Sequence, residues 1–234
     1  DPTIVSYFQE VCQQKKSPLF LVQNLTIIPK QQSSAGQSFL VDGEEFQIQM
    51  LGKHQQTNAA TAFLAIHALQ RREITIPKSA LKTGLLKATW PGRLHVISTS
   101  PLIMLDGAHN VAGMETAVEF LKTIPNRKIL ILGIAQDKEI AAMVKLIAPL
   151  FEQIIITQGN YKPALVEVIA VEVKKYNPNI TLLPNPAEAL LHAQKMVDDG
   201  ELIFVTGSLY LVGDVLKEWN LHQSRHPRQE QIQQ

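Results

Sequence analysis

Between residues 94 and 206, short apolar runs recur at intervals separated by stretches of helical periodicity, and this alternation restricts the fold more than any other feature of the chain. The runs fall at 94–98, 102–105, 128–132, 153–157, 180–183 and 202–206. They are nearly continuous in apolar character rather than alternating, as strands buried on both faces must be. In the segment after the second run, Val111, Met114, Val118 and Leu121 share one helical face. Strands of this kind separated by helices predict an α/β architecture, a mainly parallel sheet with helices on both faces. The first run is followed too closely by the second for a crossover helix, so it is expected to pair antiparallel at an edge.

The first ninety residues read differently. An amphipathic helix opens the chain (Ile4, Val5, Phe8, Val11), and a strand is expected at 19–22. "SFLVDGEEFQIQML" alternates around Asp42-Gly43 as a hairpin, preceded by "KQQSSAGQ", which reads as a polar loop. "LGKHQQTNAATAFLAIHAL" follows as strand end, glycine turn and Ala-rich helix, and a further helix is expected at 78–88. The Pro91-Gly92 punctuation sets the expected boundary: one domain over 1–90, a second over 91–221 and a flexible tail over 222–234. The tail's His222 and His226 lack the Cys or acidic neighbours a metal site needs. Because the chain begins at Asp1-Pro2 and enters a helical pattern at once, it is expected to be a portion of a longer protein.

Composition narrows the partners. A net charge of +1 offers nothing to nucleic acid or an anionic membrane, and 45% apolar with 18% charged residues describes an ordinary globular protein. The single cysteine, Cys12, excludes an internal disulfide and is expected to pack as a small hydrophobe. No apolar run approaches the roughly 20 residues of a membrane span. A cytoplasmic monomer acting on small molecules is the expectation.

Chemistry concentrates in "PLIMLDGAHNVAGMETAVEFL", where an acid, an imidazole and an amide share the turn between an apolar run and a helix. Asp106 ends the strand, and His109 and Asn110 lead into the helix. Ser208 occupies the equivalent place in "ELIFVTGS". Ligands of open parallel sheets bind beyond the carboxyl ends of the strands, and helix N-termini there favour anions. Asn110 and Ser208 also suit N-caps, which does not exclude ligand contact, whereas a cap requires neither Asp106 nor His109. In the first ninety residues, His54 and Asn58 stand four apart on one helical face, with Gln55 between them; a helix start alone would also explain His54 and Gln55. Arg93, in "PGR" at the boundary, suits a phosphate. Neither G-x-G-x-x-G after a strand nor a G-x-x-x-x-G-K-[ST] loop is present.

Taken together, "LGKHQQTNAATA", "WPGRLHVI", "IMLDGAHNVAGM" and "VTGSLYLVGDV", in this order, resemble the C-terminal part of the folylpolyglutamate synthases, including the bifunctional dihydrofolate synthases, within the Mur ligase superfamily. The resemblance implies an ATP-dependent amide ligase with Mg²⁺ on the nucleotide, in which a folate or dihydropteroate carboxylate is activated as an acyl phosphate and captured by L-glutamate. It implies that 1–90 is the end of an α/β central ATPase domain and 91–221 a Rossmann-like C-terminal domain. By motif, Asn58 matches the residue that meets adenine, with His54 and Gln55 nearby. Arg93 matches the arginine directed at the ATP phosphates, and Asp106 the aspartate on the ribose hydroxyls. His109, Asn110 and Ser208 match the turns associated with the amino-acid substrate and closure of the site, and Arg93 and His109 carry the catalytic expectation.

The family's P-loop, Mg²⁺ ligands and modified lysine belong to its N-terminal half and are not recognisable here. No metal ligand is therefore expected in this chain, which should be inactive alone and should need that N-terminal half as a partner. Lys162-Pro163-Ala164 departs from the Pro-Arg-Ala form frequent in the family, and Asp137-Lys138 reads equally well as a solvated helix start. The alternative from another class is a non-catalytic binding module of the same fold. A peptidoglycan-type Mur ligase is disfavoured by the folate-type form of "DGAHN" and "GSLYLVGDV".

Overall fold

A computed structural model of the chain describes residues 2–225. They form two compact units, one comprising residues up to Gln49 with Lys53–Thr89, the other Met50–Gly52 with the chain from Trp90 onward.

The first unit contains α1 (Pro2–Gln14), a 3-10 turn (Val22–Asn24), β1 (Ile27–Ser33), β2 (Gly36–Val41), β3 (Glu44–Ile48), α2 (Lys53–Gln70) and α3 (Lys78–Lys87). The strands make an antiparallel sheet in the order β1-β2-β3. The hairpin at Asp42-Gly43 forms as the sequence predicts, with both residues at positive φ (49° and 83°), the backbone that two-residue loops between twisted strands require. Phe39, Val41, Phe46 and Ile48 pack on Ala59, Ala60 and Phe63 of α2 and Leu81 of α3.

Two expectations in this unit fail. No strand forms at 19–22; that apolar run leads into the 3-10 turn, and the strand lies at Ile27–Ser33, running from Lys30 onward into the segment that reads as polar loop. This strand is an exposed edge, where Pro29 is tolerated and a register shift follows it, so it carries no burial periodicity. Cys12 is only half-buried, on a helix in which no residue is buried.

The second unit contains β4 (His95–Thr99), β5 (Leu102–Leu105), α4 (Val111–Leu121), β6 (Lys128–Leu132), α5 (Ile140–Ile147), β7 (Gln153–Ile156), α6 (Val166–Val173), β8 (Ile180–Leu182), α7 (Pro186–Gln194), β9 (Leu202–Thr206) and α8 (Leu209–Arg225). Its six-stranded sheet has the order β4-β5-β9-β6-β7-β8, parallel except for β4, which pairs antiparallel at the edge. Alternate residues of each central strand enter opposite cores. Leu130, Leu132, Ile154, Ile156 and Phe204 meet α4, α5 and α6. Ile129, Ile131, Ile155, Ile203 and Val205 meet α7 and α8 on the other face. This is the Rossmann-like, doubly covered α/β sheet.

Helix α8 runs past the expected onset of the tail at residue 222, so the tail's first residues, through Arg225, are helical, His222 among them; His226 and the other residues of 226–234 lie outside the described residues. Among the described residues no helix is long and apolar enough to cross a membrane, and no group of three or more His, Cys, Asp or Glu side chains could hold a metal.

Candidate active site

The chain leaves β5 into α4 on one face of the sheet and leaves β9 into α8 on the other, while β5 and β9 lie side by side. Helices diverging from adjacent strand ends open a crevice at that point, the switch point where such sheets take ligands. Asp106, His109 and Asn110 follow β5, and Gly207 and Ser208 follow β9. The two turns are stitched together: the Asp106 N–H donates to the Val205 carbonyl at 2.9 Å, and the Gly207 N–H to the Ala108 carbonyl at 3.1 Å. Gly207, at φ 103°, passes so near β6 that a Cβ would lie 2.6 Å from the Gly133 carbonyl oxygen. A Cβ on Gly107 would collide with Leu209.

Asp106 is 6% exposed, and both carboxylate oxygens are engaged by main chain. Oδ2 accepts from the Leu94 N–H at 2.9 Å and Oδ1 from the Ala108 N–H at 2.9 Å. Burial pushes its pKa above the ordinary 3.8, although the two amides and the charges of Arg93 and His109 act in the opposite direction. Arg93 is half-buried nearby, and its guanidinium makes no hydrogen bond or ion pair among the described residues.

The His109 Nδ1 lies 2.8 Å from the Gly107 carbonyl. A carbonyl only accepts, so Nδ1 carries the proton and, in the neutral ring, Nε2 is left as the acceptor. Asn110 caps α4, its Oδ1 accepting from the Gly113 N–H at 2.8 Å. Ser208 is buried, and its Oγ accepts from the Tyr210 N–H at 3.2 Å in the first turn of α8. Arg93, Asp106, His109, Asn110 and Ser208 thus share the carboxyl end of one sheet. His54, Gln55 and Asn58 lie in the first unit, on the opening turns of α2. There Gln55 is buried and accepts at 3.0 Å from the exposed Asn58 amide.

Sequence reasoning weighed the loop after β7 only at Lys162-Pro163-Ala164 and missed what holds it. Asp214 of α8 holds Asn160 twice, accepting from its N–H at 2.9 Å and its side-chain amide at 2.7 Å, and the Tyr161 and Tyr210 rings stack 4.3 Å apart. Asp214 and Tyr210 sit inside the quoted "VTGSLYLVGDV", but no local pattern points from them to a loop some fifty positions away. Asp137 and Lys138 form an exposed ion pair at 3.1 Å, as a solvated helix start would.

The chain belongs to the family described as Mur ligase, glutamate ligase domain, whose model matches residues 92–209. Within it, the chain is 29% identical to the dihydrofolate synthase/folylpolyglutamate synthase of Bacillus subtilis (strain 168) over 177 residues, covering 74% of this chain and 41% of that protein. It is 29% identical to the folylpolyglutamate synthase of Lacticaseibacillus casei over 188 residues, covering 77% and 43%. The chain therefore spans less than half the length of these two curated relatives. The fold matches Mycobacterium tuberculosis folylpolyglutamate synthase complexed with ADP and AMPPCP, with a TM-score of 0.82, 20% identity, and 93% and 53% of the two chains covered. It also matches Thermotoga maritima folylpolyglutamate synthase, with a TM-score of 0.77, 25% identity, and 92% and 53% covered.

Proposed function

We propose that this chain is the C-terminal portion of an ATP-dependent ligase that adds L-glutamate to folates and to dihydropteroate. The observation that carries the reading is a half-buried arginine, close enough for its charge to act on Asp106 and with no guanidinium hydrogen bond or ion pair among the described residues, at the switch point of a Mur ligase domain. The names of the relatives supply the substrate class. The folate carboxylate attacks the γ-phosphorus of ATP, releasing ADP; the glutamate amine then attacks the acyl carbon, and phosphate leaves. Arg93 balances charge on the transferring phosphoryl group, and removing one such donor costs about a hundredfold or more. His109 Nε2 is the acceptor that receives the amine. Ser208 and Asn110 hold the helix starts that face the amino acid, while His54, Gln55 and Asn58 take the adenine.

The Mg²⁺ ligands, in this reading, belong to an N-terminal half supplied by a longer protein, as the resemblance implies. The first unit is then the end of the ATPase domain, and the whole enzyme is a cytoplasmic monomer. The test is ADP release by the full-length protein with ATP, Mg²⁺, L-glutamate and dihydropteroate or a reduced folate. Release at background level overturns the assignment, and unchanged kcat and KM in Arg93→Ala remove Arg93 from the site. This 234-residue chain alone is expected to release no ADP. Turnover by it would overturn the need for an N-terminal half. The non-catalytic binding module is the reading left if the natural product begins at Asp1.

A further inference from the structure

We infer that Asp214 is a positioning residue, which clamps the loop after β7 onto the start of α8 through Asn160 and so fixes the stacked Tyr161 and Tyr210 rings as a wall beside the Ser208 turn. The catalytic consequence rests on the ligase reading above; the clamp itself does not. The loop is held on two sides. Toward β6 the hold is main chain: the Gln136 N–H donates to the Lys162 carbonyl and the Ala164 N–H to the Ile134 carbonyl, both at 2.9 Å, around an antiparallel bridge between Ala135 and Pro163. Toward α8 the hold comes from a side chain. One Asp214 carboxylate oxygen accepts from the Asn160 N–H at 2.9 Å and the other from the Asn160 side-chain amide at 2.7 Å, bonds strengthened by the carboxylate charge. Gly159 permits the approach, since a Cβ there would lie 2.8 Å from the Leu211 nitrogen of α8.

What the clamp presents is the ring of the next residue. Tyr161 stacks on Tyr210 with centroids 4.3 Å apart and an interplanar angle of 25°, and the Lys162 ammonium lies 5.4 Å from the Tyr161 centroid as a second hold on that ring. Tyr210 belongs to the Ser208 turn, its N–H donating to Ser208 Oγ at 3.2 Å. The two rings are 45% and 48% exposed at the carboxyl end of the sheet, so they are not spent on the core and leave a face open to a substrate lying against Ser208. Tyrosines supply such contact area with only two side-chain torsions to order. A clamp on Tyr161 therefore acts on the binding of the amino acid and not on phosphoryl transfer at Arg93.

The experiment uses the full-length ligase, with Asp214→Ala, Asn160→Ala, Tyr161→Ala and the double variant Asp214→Ala/Tyr161→Ala. Asp214→Ala is expected to raise KM for L-glutamate about fivefold or more, to leave kcat and KM for ATP within about twofold of wild type, and to add less than about twofold to the effect of Tyr161→Ala, as for residues acting as one unit. Asn160→Ala, a change on the exposed loop, is expected to raise KM for L-glutamate in the same way, and it carries the test if Asp214→Ala does not fold. An unchanged KM for L-glutamate, a loss confined to kcat, or effects of Asp214 and Tyr161 that multiply would overturn the proposal. If the wild-type protein releases no ADP with any folate, the ligase reading fails and the clamp is still tested on this chain by nuclear magnetic resonance. The Tyr161 and Tyr210 rings are expected to be in contact in the wild type and to separate in Asp214→Ala, where the Asn160 amide exchanges about tenfold faster or more while those of β6 keep their protection. Rings apart in the wild type, or still in contact in Asp214→Ala, overturn it.

Discussion

In the second unit, every central strand sends alternate side chains into two closed cores, so that Phe204, Ile131 and Leu132 are all fully buried. In the first unit a single cluster closes one face of a three-stranded sheet, and α1 buries nothing: Ile4 is 55% exposed, Tyr7 64% and Phe8 51%. The two units thus meet the cost of ordering the chain differently. Each buried side chain of the parallel sheet offsets conformational entropy with removal of apolar surface, about 25 cal/mol per Å². A helix with no buried residue has only its own hydrogen bonds, which leave a short helix marginal in water. The lesson is that a well-formed helix and a stable one are separate claims, and burial decides between them.

The sharpest way to break this comparison is a pair of phenylalanine truncations. Phe204, in β9 and stacked 6.3 Å from Phe151, is expected to cost about 3–5 kcal/mol as Phe204→Ala. Phe8→Ala in α1 should cost less than about 0.5 kcal/mol, the range of surface changes. Denaturant unfolding followed in both variants checks this. A loss at Phe8 comparable to that at Phe204 would show that the α1 face is covered in solution, and the contrast between the units would fall.

The same difference explains what the sequence makes legible. Strands buried on both faces must be apolar throughout, so β5, β6 and β9 match the expected 102–105, 128–132 and 202–206 at both ends. The antiparallel edge β4 is legible because the two residues between it and β5, Ser100 and Pro101, leave no room for a helix. In the first unit β1 is an edge facing solvent, and nothing forces its residues to alternate; Gln31, Gln32 and Ser33 therefore read as loop. The site divides in the same way. Asp106, His109 and Ser208 announce themselves because polar residues interrupt apolar runs at strand ends. The engagement of Asp106 by Leu94 is invisible, because a main-chain donor twelve positions away leaves no trace in residue type.

Helix starts sharpen the comparison at a smaller scale. Asn110 caps α4 of the second unit through its side chain, whereas α3 of the first unit begins at Pro77 with no side-chain cap bond. Asn110→Ala is expected to cost about 1 kcal/mol. The loss should appear as faster amide exchange at Gly113 and in the first turn of α4, with α3 unchanged. An unchanged first turn would mean that the Asn110 side chain is free for a ligand rather than spent on the helix.

The smallest effects concern pH, and here the units should move in opposite directions. Burial raises the Asp106 carboxyl above 3.8, outweighing its amide partners, so the unfolded chain gives up its proton first as pH rises. Stability in the second unit therefore falls as pH climbs from the ordinary carboxylate value through the higher folded one. For Glu44 burial also pushes upward, but Lys78 at 3.1 Å and Lys82 at 3.5 Å together outweigh it and bring the carboxyl below 4.5. That contribution is present above the unfolded value and is lost as pH falls through the folded one, and with Lys78 largely exposed it amounts to less than about 1 kcal/mol. Amide exchange measured in both units between about pH 3 and pH 7, with Glu44→Gln as the control that flattens the first unit's slope, separates the two terms. Slopes of the same sign would mean that the Asp106 carboxylate is better solvated than its two amide bonds and burial imply.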